Sequence, residues 1–144
     1  MNGRRTLRGQ FTEGEVKRLI LDDGRLNFGY RVVSWYIAPD PAGNAAAFAT
    51  LSLDYDAPLT WNWGDNRQIG WASATTFNVP GPEAGYVAID PGHIVLQDLY
   101  IQGQVGPGGG NDIINYLIEI EPLVLSDDEA IITLIKERSQ DDLR

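Results

Sequence analysis

Residues 113–125, IINYLIEIEPLVL, decide the fold. From Ile114 the apolar side chains take alternate positions: Ile114, Tyr116, Ile118 and Ile120. Asn115, Glu119 and Glu121 interleave with them, and Leu117 is the one apolar residue among the alternates. Side chains on a strand alternate between its two faces, so this segment has one buried face and one largely wet face. The apolar run 94–105, joined to it by the Gly- and Pro-rich stretch 106–112, is its expected partner. A strand pair this apolar needs a second layer to cover it.

The preceding chain supplies that layer. Residues 16–21 (VKRLIL) read as a strand, and Asp22-Asp23-Gly24 is a hairpin signal leading into a long return over 26–38. On that return Val33, Trp35 and Ile37 share a face. The run 45–55 alternates Ala47, Ala49, Leu51, Leu53 and Tyr55, with small residues first, where another backbone or sheet can approach closely. Leu59, Trp61 and Trp63 alternate before a turn at 64–67, and Ile69 and Trp71 alternate after it. A hairpin with that loop sets Trp61 opposite Trp71. Residues 86–89 form a short strand and 90–93 a turn.

Eight or nine short strands with no helix between them specify an all-β, antiparallel β-sandwich or barrel, and a jelly-roll-like sandwich is the expectation. The C-terminus changes character. Ser126 suits an N-cap, and Asp127, Asp128 and Glu129 suit the first turn of a helix. Ile131, Leu134 and Ile135 then line one face of a short C-terminal α-helix. A helix of this length is marginal alone, so that face docks on its own sandwich or on a neighbouring subunit. The expected organisation is therefore a basic N-terminal arm over 1–12, a sandwich over 13–125, and an amphipathic helix and tail over 126–144.

At 144 residues the chain is the size of one domain with a real core. It contains no cysteine, which removes disulfides, thiolate metal sites and cysteine nucleophiles. Its first residues lack the apolar segment of an ordinary signal peptide, and no run is long enough to span a membrane. Charge is uneven. Residues 1–31 carry seven basic and four acidic side chains, whereas residues 32–125 carry Arg67 against ten acidic ones. An acidic body of net charge −9 lacks the basic surface that a phosphate backbone requires, so nucleic acid is not an expected partner. Arg4, Arg5 and Arg8 instead offer contacts to an acidic neighbour, such as another copy of the same chain. The simpler reading is a solvated charged terminus.

Reactive groups are few. His93 is the single histidine and follows Asp90-Pro91-Gly92, a turn position that is more often solvated than catalytic. Ser34, Ser52 and Ser73 sit inside strand patterns without a nucleophile elbow. Asp54, Asp56 and Asp65 are the best acidic cluster; calcium ligation or a glycosidase pair would each need them to converge, while solvation at strand ends needs nothing. The segment GQVGPGGG (103–110) lacks a Walker lysine and reads as a hairpin tip. No catalytic residue, cofactor or metal site is expected. Of the four tryptophans, Trp35 belongs to the core. Trp61, Trp63 and Trp71 flank a polar turn and serve as core, as an interface anchor, or as a stacking platform for sugars.

Taken together, the basic arm, acidic cysteine-free β domain, Gly-rich loop and short terminal helix resemble small auxiliary capsid proteins of tailed bacteriophages, the decoration or cement type. The segments DDGRLNFGYRVV (22–33), DPGHIVLQDLYI (90–101) and LSDDEAIITLIKE (125–137) look like pieces of marine phage structural proteins. The resemblance implies a non-enzymatic virion protein on the capsid surface, made in the host cytoplasm. It also implies a homo-oligomer, often a trimer, bound to the major capsid protein or another virion protein. Its contacts would come from Arg4, Arg5 and Arg8 and, on the aromatic and helical faces, from Trp61, Trp63, Trp71, Ile131, Leu134 and Ile135. The alternative is a carbohydrate-binding β-sandwich module built on Trp61, Trp63 and Trp71.

Overall fold

The computed structural model describes residues 4–21, 28–40, 45–76, 84–90, 92–96, 98–106 and 113–124. These residues form eight strands in two antiparallel sheets, and none of them is helical. The strands are β1 (Arg5–Thr12), β2 (Lys17–Leu19), β3 (Phe28–Asp40), β4 (Ala45–Ser52), β5 (Gln68–Thr76), β6 (Ala84–Ile89), β7 (Leu99–Gly106) and β8 (Ile113–Val124). One sheet runs β1-β8-β3 and the other β2-β7-β4-β5-β6. The two share one main apolar core, and a small second cluster gathers Ile94 and Leu123 around Leu96.

β8 is the centre of the three-stranded sheet, and its alternation does what the sequence requires. Ile114, Ile118 and Ile120 are fully buried, and Tyr116 nearly so. Its expected pairing with the preceding apolar run is incorrect. β8 pairs with β1 and β3, while β7 lies in the opposite sheet and faces it across the core. Both strands carry a complete apolar face, so each buries more by stacking on the other than by lying beside it. Gly103 marks how closely they approach. A Cβ there would sit 2.7 Å from the Phe48 carbonyl oxygen and 2.9 Å from Ile114 Cδ1. Gly103 through Gly106 thus end strand β7 and are not part of a hairpin tip, while residues 107–110 of GQVGPGGG lie outside the described residues.

The segment expected as a basic arm is, from Arg5 onward, strand β1, paired along its length with β8 from Arg5↔Ile120 to Thr12↔Ile113. Leu7, Gly9 and Phe11 form its inward row, and Arg5 ends that row at the rim, its guanidinium 5.9 Å from the Tyr30 ring centre. A count of charges hides this alternation, because an arginine occupies an inward position.

The strands flanking Asp22-Asp23-Gly24 do not pair as a hairpin: β2 joins β7 and β3 joins β8, in different sheets. The turn residues themselves lie outside the described residues. β2 has three residues, and Arg18 pins it through ion pairing with the buried Asp98 at the start of β7. On β3 a bulge between Val32 and Ser34 shifts the register. Val32 therefore joins Trp35 and Ile37 in the core, and Val33, expected there, is half-buried.

The small residues at the start of β4 do admit a close approach. Ala47 and Ala49 stand beside Ala74 and Ala72 of β5, and all four are buried on the inner face. Trp35 fills the hollow nearby, and a Cβ on Gly70 would lie 3.0 Å from its Nε1. The expected C-terminal helix, with Ile131, Leu134 and Ile135, lies outside the described residues.

Candidate functional site

The outer face of the five-stranded sheet should be wet, yet Thr50, Ser52, Gln68 and Gln102 on it are buried. The cause is the connection 53–67, which folds back across this face. Each polar side chain beneath it is bonded to its backbone. Thr50 Oγ1 donates to the Leu59 carbonyl (2.8 Å) and Gln102 Nε2 to that of Ala57 (2.8 Å). Gln68 does most: its Nε2 donates to the carbonyls of Pro58 and Thr60, and its Oε1 accepts from the Asn62 amide and the Trp71 indole. Replacing Gln68 with alanine strands several buried groups at once. A loss of roughly 2–3 kcal/mol is expected in urea unfolding, with tryptophan emission reporting the loosened connection.

This arrangement corrects the tryptophan hairpin. Residues 59–63 are not a strand, and Trp61 does not oppose Trp71, whose neighbours across the ladder are Thr50 and Ala88. The polar contacts of Gln68 hold the connection over the outer face, so it crosses the sheet instead of extending the β4-β5 ladder. Three aromatic groups result. Trp71 is buried with the exposed Trp63 ring 5.9 Å away, and Tyr55 meets Tyr100 edge-on at 6.2 Å. Trp61 stands between Phe48 (6.3 Å, edge-on) and Tyr86 (5.9 Å, planes 34° apart). Its Nε1 donates to the Ala49 carbonyl, which fixes the indole. Gln104, Phe48, Ser73 and Tyr86 form one row across β7, β4, β5 and β6.

The outer face of the three-stranded sheet is a second candidate surface. Arg4 and Arg31 flank Glu121, and Arg4 also reaches Glu119, in pairs of 3.7–4.0 Å that are open to water. Such pairs contribute about 0–1 kcal/mol each. Arg8 is exposed beside Leu117, and Tyr36 lies opposite Leu117 on the other flank. Tyr36 and Leu117 are both exposed large apolar side chains. Of the three arginines expected at an interface, Arg4 is thus engaged with carboxylates, Arg5 lies over Tyr30, and Arg8 makes no ion pair among the described residues.

The acidic cluster does not converge as a metal centre among the described residues. Asp65 is bound by the Arg67 guanidinium, and Asp54 Oδ1 accepts the Asp56 amide. His93 is half-buried after a turn in which Asp90 Oδ1 accepts the Gly92 amide. The strand pattern does not single out Tyr36 or Tyr86, which stand on the outer rows of their strands beside small residues, Ser34 and Ala38 for Tyr36 and Ala88 for Tyr86; a large aromatic ring among small outer residues is the signal that could have found them. Comparison with protein-family models, with curated proteins and with solved structures finds no match.

Proposed function

We propose that this chain is a non-enzymatic structural protein of a virion, a decoration or cement-type component that binds a capsid lattice and reinforces it through contacts between subunits. The fold we assign it is a jelly roll. Rolling up one long antiparallel hairpin of eight strands pairs first with last, second with seventh and fourth with fifth, then brings eighth beside third and seventh beside fourth. The ladders β1-β8, β2-β7, β4-β5, β8-β3 and β7-β4 follow that scheme. The departure is β6, which pairs with β5 where the scheme sets it beside β3; the bond from Trp35 Nε1 to the Ala88 carbonyl spans that gap.

The observation that carries the functional reading is the open face of β1-β8-β3, where Tyr36 and Leu117 are exposed beside Arg8. Tyr and Arg are the residue types that anchor protein interfaces, and an acidic partner such as a second copy complements Arg8. The favoured assembly is a homotrimer seated on the major capsid protein. Light scattering should therefore give a mass near three times the 15.9 kDa chain. Arg8→Glu combined with Tyr36→Ala should weaken association by at least roughly tenfold without altering the far-ultraviolet spectrum. A monomer at every concentration, or an unaffected oligomer in the double variant, would count against this surface.

A further inference from the structure

We propose that the outer face of the five-stranded sheet binds a neutral oligosaccharide. The site would be a trough beside the aromatic row of Phe48, Trp61 and Tyr86. The connection 53–67 covers the rows of Ser52 and Thr50, and over the next row it places the Trp61 indole, between Phe48 and Tyr86. There β4, β5 and β7 leave an open trough of about 690 Å³, lined on this face by Ala46, Phe48, Ser73, Thr75, Gln104 and Gly106. The volume falls within the range of small-molecule sites, roughly 300–1,000 Å³.

Three features select the ligand class. First, a pyranose has an apolar face of C–H bonds that stacks on an aromatic ring, and it has hydroxyls at its edge. Phe48 walls the trough, and Tyr86, half exposed, stands two strands further along the same row, beyond Ser73. Trp61 bridges the two rings and is held by its bond to Ala49, so the aromatic wall is fixed before a ligand arrives. Second, Gln104 is exposed and Ser73 half-buried, and neither side chain makes a hydrogen bond among the described residues. An amide and a hydroxyl supply both donors and acceptors, as sugar hydroxyls require. Third, no ionisable side chain lines the trough among the described residues, and the protein carries a net charge of −9. That combination disfavours uronic and sulfated polymers and leaves neutral ones. The site stands independently of any capsid role, and it differs from the Trp61/Trp63/Trp71 platform of the sequence reading. Trp71 is buried, and Trp63 belongs with it, outside the trough.

The test is a titration of the purified chain with neutral hexasaccharides of glucose, galactose and N-acetylglucosamine, followed by calorimetry and tryptophan emission. At least one should bind with a Kd below about 1 mM. Gln104→Ala and Tyr86→Ala, both at exposed positions, should each weaken it by roughly tenfold, and Trp63→Ala by less than about twofold. Circular dichroism verifies that each variant is folded. No heat with any of the three sugars up to roughly 10 mM would overturn the proposal. So would affinity lost in Trp63→Ala and kept in Tyr86→Ala, or binding confined to heparin and polyuronate controls.

Discussion

Trp35→Ala should be the most damaging single substitution in the described core, lowering stability by about 4–5 kcal/mol. The side chain has no solvent exposure and sits on β3, the strand that faces the centre of the five-stranded sheet. Its ring occupies the space over Gly70 that any larger residue there would take, within 3.0 Å of a Cβ at that position. Its Nε1 donates to the Ala88 carbonyl at 3.3 Å, joining β3 to the edge strand β6, with which it shares no ladder. Truncation therefore opens a cavity between sheets whose facing positions are alanines and a glycine, too small to collapse into it. Domains of this size are typically stable by about 5–15 kcal/mol, so the variant should lie near the threshold of folding. Trp35→Phe retains most of the volume and loses the bond to Ala88, so a cost of about 1–2 kcal/mol is expected. Equilibrium urea unfolding of the three proteins tests the order. A Trp35→Ala loss below about 2 kcal/mol would mean that the sheets close over the gap and that the indole is not their spacer.

Much of the fold was readable because period-two alternation is a local signal. It located β8 and its buried row of Ile114, Tyr116, Ile118 and Ile120, the small inner residues of β4, and the short strand at β6. Pairing was not readable from proximity in sequence. Chain neighbours β2 and β3, and β7 and β8, lie in opposite sheets, because the apolar faces of two consecutive strands can be satisfied by stacking as well as by lying side by side. The bulge at Val32/Ser34 leaves no mark in the sequence, since Val32 and Val33 are equally apolar. The candidate surfaces were hidden for a different reason. Burial of Thr50, Gln68 and Gln102 depends on where the connection 53–67 crosses the sheet, and polar side chains on a strand normally signal water. Once that crossing is known, the register sets Gln104 and Tyr86 in one row on the outer face, beside Phe48 and Ser73.

The same connection makes the second large prediction, at Asp65. Its carboxylate takes a forked pair of bonds from Arg67, from Nε at 2.9 Å and from Nη2 at 2.6 Å, and also accepts the Arg67 backbone amide at 3.0 Å. Both side chains are more than nine-tenths buried. Beyond the fork, Arg67 Nη1 donates to the Asp56 carbonyl, and the Arg67 carbonyl accepts the Leu53 amide. The pair therefore ties together both ends of the segment that carries Trp61. Asp65→Asn keeps the shape but removes the charge, leaving a buried guanidinium without its forked partner, and a loss of about 3–5 kcal/mol is expected. Salt should change the wild-type stability little through this pair, because buried charges are poorly screened. A double-mutant cycle with Arg67→Met separates the two possible causes. If the cost is the stranded charge, Asp65→Asn with Arg67→Met should be more stable than Asp65→Asn alone. If the cost were lost packing or turn geometry, the two changes would simply add. The native tryptophan emission of Asp65→Asn should also shift to the red below the unfolding transition, as Trp61 leaves its place between Phe48 and Tyr86. A variant within about 1 kcal/mol of wild type, with unchanged emission, would show that the pair does not hold the connection on the sheet.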